Sequence, residues 1–306
     1  TPLILQEAEV PAANVLGQAG SGHKVAFNVL NYGRFKLAAM CSGGARGVIA
    51  QSAAYALQRR QFGRPIAAFG AIRHKLAGMV IGEFAVESML YRTAGLIDGS
   101  LRDAAAAGSG DEGAAVLAAL EEYAIEASIL KVAGSEMLDA AVDENVQIHG
   151  GNGFVRDYPA ERQYRDARVN RIFEGTNEIN RMLIPGMLMK RAMKGELGLL
   201  GAAKALQDEI MNPQISFDED ENLLATELKL AANAKKTALM ILGTAAQFLD
   251  LRERGGRRLF EQHSQPRLQR GACDRNGASV CRRSITWTIP DACRRWRRTK
   301  IRFIMT

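Results

Sequence analysis

Between Arg165 and Ile179 the chain reads Arg-Asp-Ala-Arg-Val-Asn-Arg-Ile-Phe-Glu-Gly-Thr-Asn-Glu-Ile, and Glu174 is the residue in that stretch with the widest chemical scope. It follows Ile172 and Phe173, precedes Gly175 and stands just before a helix start. An acid flanked by bulky apolar residues is expected to be partly desolvated. Desolvation disfavours the charged form of a carboxyl group, so such a group can remove a weakly acidic proton. The same position also suits an acid that only complements a helix dipole, with Thr176 and Asn177 as cap residues. Spacing alone weighs the two readings equally.

Three further segments stand out: Arg59-Arg60-Gln61-Phe62-Gly63-Arg64-Pro65-Ile66, Gln147-Ile148-His149-Gly150-Gly151-Asn152-Gly153-Phe154, and the pair Asn14-Val15-Leu16-Gly17 and Asn31-Tyr32-Gly33-Arg34. Arg59-Arg60 reads either as an anion contact or as a solvated helix end, and Gly150-Gly151 either as a close backbone approach or as a helix cap. His149 and the methionines Met182, Met187, Met189 and Met193 read as packing residues. The sequence has no metal-ligand spacing and no Walker A or Rossmann fingerprint.

The elements that must position these residues are helices. Apolar residues recur at helical spacing from Gly22 to about Arg60 (Val25, Val29, Leu30, Leu37, Met40, Val48, Ile49, Leu57), with a loosening expected at Gly43-Gly44 and a stop at Phe62-Gly63-Arg64-Pro65. A second helix is expected from about Phe69 to Leu101 and a flexible connection over 102–113. A third is expected from about Glu112 to Ile148, then a short one after Pro159, then one from Thr176-Asn177 to about Lys194. Long helices with brief connections imply an all-α fold, an antiparallel four-helix bundle over residues 21–195. Residues 1–20 read as the end of a preceding β region and a linker. Residues 196–220 read as a polar hinge containing Asn212-Pro213. The helix over 221–250 reads as the start of a partial second helical module, which occupies residues 196–250 with the hinge.

Composition supports packed helices: 47% of the 306 residues are hydrophobic, few of them aromatic. The net charge of +7 is carried by one segment. Residues 251–306 hold 15 of the 40 basic and 4 of the 33 acidic residues, so positions 1–250 carry a net −4. Cys273, Cys281, Cys293, Trp287 and Trp296 also lie there, and helical periodicity stops. That tail reads as non-native or disordered, the alternative being a basic segment for nucleic acid or an acidic surface. Cys41 is the one cysteine outside it, which gives no disulfide framework. No apolar run reaches the length of a membrane span and no signal peptide opens the chain.

Taken together, Arg171-Ile172-Phe173-Glu174-Gly175-Thr176-Asn177-Glu178-Ile179 resembles the acyl-CoA dehydrogenase motif that carries the catalytic glutamate. The segment Gln147–Phe154 resembles that family's glycine-rich flavin segment, Arg59–Ile66 a third signature, and Asn14–Gly17 with Asn31–Arg34 the approach to its carboxyl-terminal domain. The segments come in family order across residues 8–195. The resemblance implies FAD as cofactor and oxidation of a fatty acyl-CoA thioester to the trans-2-enoyl-CoA, with Glu174 removing the α proton. It implies FAD contacts from Arg59 (across a dimer interface), Gln61, Phe62, Gln147, Gly150, Gly151, Thr176 and Glu178, and substrate contacts from Arg34, Phe173 and Gly175. Gln61 stands where several relatives have Thr or Ser, and Glu178 where some have Gln. The partners implied are acyl-CoA, an electron-transferring flavoprotein and further copies in a homodimer or homotetramer. Residues beyond Gly195 resemble the very-long-chain branch. The location implied is cytoplasmic in a bacterium or the mitochondrial matrix in a eukaryote. An acyl-CoA oxidase and a non-catalytic scaffold are the alternatives on the same fold. Complete family members add an amino-terminal helical domain and a middle β domain, so the isolated chain is expected to bind FAD weakly and turn over poorly.

Overall fold

The computed structural model describes residues 4, 6–17, 20–108, 111–212 and 223–255. Two compact units divide at Gly201. In the first, two long helices, α1 (Gly22–Gln58) and α2 (Gly70–Ala106), are joined by a minimal hairpin of β1 (Arg60–Gln61) and β2 (Arg64–Pro65). Then follow α3 (Glu112–Glu122), α4 (Ala124–His149), the single turn α5 (Gly151–Phe154), α6 (Pro159–Ala167) and α7 (Asn177–Met193).

Helix α1 ends because the chain reverses at Phe62-Gly63, both left-handed at φ +52° and +80°, pairing Arg60 with Pro65 and Gln61 with Arg64. Such a two-residue turn requires positive φ at both central positions. Helix α1 runs unbroken through Gly43-Gly44, contrary to the expected loosening; Ala38, Cys41 and Ala45 around them are buried against the rest of the unit and hold the helix together. The expected third helix is two helices. Tyr123 leaves helical geometry at φ −96°, ψ +24°, yet its N–H still bonds to the Ala119 carbonyl and its carbonyl accepts from Ala127, so the break is a one-residue kink.

Cross-helix partners give the directions. Glu83 of α2 meets Ser42 and Arg46 of α1, and Lys75 of α2 pairs with Glu144 of α4. On the other flank Glu136 of α4 pairs with Arg181 of α7. Consecutive long helices alternate in direction: the hairpin reverses α1 into α2, Lys75–Glu144 and Gly82 on Met137 run oppositely along α2 and α4, and Arg181–Glu136 and Arg191–Glu122 do so between α7 and the α3–α4 rod. Helix α1 runs parallel to α4: Ala38 lies on Gly134, Gly44 on Leu138, Ser52 bonds to Asn145 and Tyr55 to His149. This pair forms the core, with Leu37, Cys41, Ala45, Val48, Leu138, Ala141, Val142 and Ile148 buried along it. Small residues let the two backbones approach: a Cβ on Gly134 would sit 3.1 Å from the Ala38 Cα.

The second unit holds most of α8 (Leu199–Met211) and α9 (Ala225–Gly255). Helix α8 replaces much of the expected polar hinge, because Leu199, Leu200, Leu206 and Ile210 carry helical spacing through a stretch read as polar. Glu209 and Lys236 pair within this unit. Helix α9 extends into the first five residues of the expected tail (251–255), and residues 213–222 and 256–306, which hold the rest of the hinge and of the tail, lie outside the described residues. Among the described residues no helix is long and apolar enough to cross a membrane.

Candidate active site

Glu174 occupies a turn that returns the chain to α1, with φ +59° at Glu174 and +80° at Gly175. Left-handed geometry is natural for glycine and uncommon for a residue with a side chain. Three side chains from three helices hold the turn by its carbonyls. Arg34 Nε of α1 donates to the Glu174 carbonyl at 3.2 Å. Lys131 Nζ of α4 donates to the Gly175 carbonyl at 2.8 Å. Asn180 Nδ2 of α7 lies 2.9 Å from the Gly175 carbonyl, 3.1 Å from that of Thr176 and 3.4 Å from that of Glu174. Thr176 then caps α7, its hydroxyl oxygen accepting from Ile179 N–H at 3.3 Å.

The carboxylate faces α1 at Gly33. A Cβ built there would lie 2.7 Å from Glu174 Oε1 and 2.8 Å from Oε2. Glycine inside a helix costs stability relative to alanine, and this contact is what occupies the space. Oε2 is buried and accepts no hydrogen bond among the described residues. The desolvation expected from Ile172 and Phe173 has a different origin: those side chains are 52% and 42% exposed, and it is α1 that half-buries Glu174.

Arg34 is buried and also donates from Nη1 to Asn31 Oδ1 at 3.2 Å. Burial lowers its pKa from the ordinary arginine value and the Glu174 charge opposes that shift. Its guanidinium therefore serves the Glu174 turn directly. Glu178 is exposed and held below its usual range, first by its own backbone N–H and then by the Thr176 hydroxyl. Gly175 and Thr176 share the turn, and Phe173 stands beside it, half-exposed.

The other nominated residues gather at the far end of α1 and α4. Tyr55 stacks on His149 with ring centroids 4.0 Å apart, its hydroxyl donates to the His149 carbonyl at 3.2 Å, and Asn152 Nδ2 donates to that hydroxyl at 3.0 Å. On this support Arg59, Gln61, Phe62, Gln147, Gly150 and Gly151 are all exposed, Phe62 at 90% on its left-handed backbone. The three glycines of the segment differ in cause. Gly150 has φ +59°, ψ −136°, which ends α4. A Cβ on Gly153 would meet the Val146 carbonyl oxygen at 2.5 Å. Gly151 has neither constraint and faces open space. Arg59 has no carboxylate partner among the described residues. An unpaired guanidinium, two exposed primary amides and a bare backbone suit a phosphate-bearing group.

The sequence model of the family described as acyl-CoA dehydrogenase, C-terminal domain, matches residues 20–188, which include both clusters. The chain belongs to this family. A probable acyl-CoA dehydrogenase of Bacillus subtilis is 49% identical over 245 residues, covering 80% of this chain and 41% of that protein. Human very long-chain specific acyl-CoA dehydrogenase is 37% identical over 231 residues, covering 76% and 32%. The crystal structure of an acyl-CoA dehydrogenase from Bacillus anthracis, complexed with FAD, superposes with a TM-score of 0.73 at 50% identity over 80% of this chain and 41% of that one. Butyryl-CoA dehydrogenase from Megasphaera elsdenii superposes with a TM-score of 0.50 at 33% identity. This acyl-CoA dehydrogenase C-terminal domain thus spans about a third to two fifths of the length of its curated relatives.

Residues to which the sequence alone gives no site role complete the acyl-CoA dehydrogenase domain's site: Gly33, Lys131, Ser135 and Asn180, with Asn177 acting as more than a cap. Asn177 Oδ1 accepts from Lys131 Nζ at 2.6 Å, and its Nδ2 donates to Ser135 Oγ at 3.0 Å and Glu136 Oε1 at 3.1 Å. One signal was available. Lys131 and Ser135 are four apart, with Ser128 three before, so three polar residues share one buried face of α4.

Proposed function

We propose that this chain supplies the catalytic base and part of the cofactor site of an FAD-dependent acyl-CoA dehydrogenase, which oxidises a fatty acyl-CoA thioester to the trans-2-enoyl-CoA. The observation that carries this is the Glu174 carboxylate, half-buried over the bare backbone of Gly33 with Oε2 unpaired. An unpaired carboxylate oxygen in a partly dry site is free to take a proton. When bound, FAD would supply the acceptor for the hydride that leaves the β carbon. Glu174 takes the α proton, so the two hydrogens leave as proton and hydride and the new double bond balances. The Glu174 N–H makes no hydrogen bond among the described residues, and it donates to the thioester oxygen as negative charge develops there. Arg34 and Asn180 hold the turn that carries both groups.

The exposed cluster at the far end is the phosphate-side contact, with Arg59 on the anionic charge, Gln61, Phe62 and Gln147 around it and Gly151 leaving room. Arg34 and Arg59 are 25 positions apart on and just beyond one helix, about 37 Å at the helical rise. That separation supports a reading in which each FAD takes its two ends from two copies of the chain, with a homodimer or a multiple of it as the working unit. Long straight-chain acyl-CoA is the proposed substrate class, with an electron-transferring flavoprotein as acceptor.

Glu174→Gln in the FAD-loaded protein tests the reading. Turnover is expected to fall by about 10²–10⁴-fold with the flavin spectrum retained. Normal turnover would remove Glu174 as the base, and unaltered assembly with no turnover in either form would favour a scaffold. Reoxidation by oxygen in place of an electron-transferring flavoprotein would mark an oxidase.

A further inference from the structure

Among the described residues Lys131 is the largest fully buried side chain, at 0% exposure. A buried ammonium is costly unless it is paired and hydrogen-bonded. Lys131 has no carboxylate in ion-pair contact among the described residues. Its two bonded acceptors are neutral: the Gly175 carbonyl at 2.8 Å and Asn177 Oδ1 at 2.6 Å. Desolvation lowers its pKa first and the nearby Arg34 charge adds to the shift. A core position filled for stability alone is served as well or better by an apolar residue of similar volume. The cation must therefore do something that an apolar side chain cannot.

What it touches gives that task. Gly175 O lies one residue after Glu174, inside the left-handed pair, and Asn177 is the first residue of α7. Lys131 thus ties the far side of the turn and the start of α7 to α4, while Arg34 ties the Glu174 carbonyl to α1. A strained residue persists where its surroundings over-determine it. With Asn180 closing the third side, each of the carbonyls of residues 174, 175 and 176 has a side-chain donor.

We propose that Lys131 is a positioning residue for Glu174: by holding the Gly175 carbonyl and the Asn177 side chain, it fixes the left-handed turn that keeps the Glu174 carboxylate against Gly33. The reaction it serves rests on the function proposed above, but the positioning itself does not, so the two fail separately.

The test is Lys131→Met, which keeps volume and removes the donor, beside Lys131→Gln, which keeps a neutral donor. Residue-resolved hydrogen exchange on the full chain reads the turn without cofactor or substrate. The reporters are the amides of Ile179 and Asn180, which bond to Thr176. Lys131→Met is expected to speed their exchange by about tenfold or more, the factor given by losing one charge-assisted hydrogen bond. Lys131→Gln falls between the two, and α4 amides between Leu138 and Asn145 stay at wild-type rates. In the FAD-loaded protein the same variant lowers kcat with KM little changed. Unchanged exchange at Ile179 and Asn180, or an equal rise along α4, overturns the proposal. So does wild-type kcat in a folded Lys131→Met. Loss of helical circular dichroism in both variants would make Lys131 a folding residue and would equally overturn it. Glu174→Gln with normal turnover, in contrast, defeats the proposed reaction and leaves the exchange result standing.

Discussion

Replacing Gly33 by alanine separates the stability of α1 from the placement of the base. In an exposed or roomy helix interior, Gly→Ala gains about 0.8–1 kcal/mol through backbone entropy. At Gly33 the new methyl would stand 2.7 Å from Glu174 Oε1, and ordinary contact begins at 3.4 Å, so the carboxylate must retreat by about 0.7 Å. The obstructing atoms are the end of a flexible side chain, so the retreat is a rotation of the Glu174 side chain and the helices stay where they are. Stability is therefore expected to be unchanged or raised, by about 2–4 °C in Tm at most for a domain of this size. Displacements of that order within a reacting group cost up to about 100-fold in rate, so kcat is expected to fall by about 10- to 100-fold. The assay is thermal unfolding beside steady-state turnover with a long-chain acyl-CoA in the FAD-loaded protein. A Gly33→Ala variant with wild-type kcat would show that the carboxylate does not work from its place over α1. A variant several degrees less stable would show that the space is closed by something less mobile than Glu174.

Gly134→Val should act in the opposite sense. Its added atoms would press on the Ala38 backbone at the centre of the α1–α4 contact, at an expected cost of about 1–3 kcal/mol, read as a lowered Tm. Cys41, buried at 1% exposure, has its thiol pKa pushed up to about 12 by desolvation, with Lys131 opposing. It should resist thiolate-directed labelling in the folded chain and react on unfolding, as followed by peptide mass mapping. Because the folded pKa lies above the ordinary 9.0, the folded state holds that proton more tightly. Its contribution to stability is then complete below pH 9.0 and is lost as pH rises toward about 12. Labelling of Cys41 at the rate of a free thiol would contradict both statements.

The helices were legible because their cores are built on repeated spacing. Leu37 and Val48 mark the buried face of α1, although Val29, Met40 and Leu57 from the same pattern are exposed, and the glycines after His149 mark the end of α4. The Tyr123 kink was not legible, since both flanking segments keep helical periodicity and the backbone bonds nearly continue through it. Helix α8 was hidden by the charged and glycine residues around Leu199 and Leu206. Glu174 was visible from its motif, yet the cause of its burial was misplaced: sequence neighbours suggested Ile172 and Phe173, whereas the wall is a residue with no side chain, 141 positions earlier. A glycine that matters for the space it leaves has no sequence signature of its own. Lys131 was missed for the converse reason, since a lysine in a helix reads as surface until the small residues on its face, Ser128 and Ser135, are taken with it.

The parallel course of α1 and α4 also governs where the chain can change length. An extra residue inside a helix advances everything after it by about 1.5 Å and turns it by about 100°. An insertion in α1 between Arg34 and Arg59 would therefore swing the hairpin away from the end of α4, unless α4 gained a residue at the matching level. A change in the length of one rod must therefore be matched in the other.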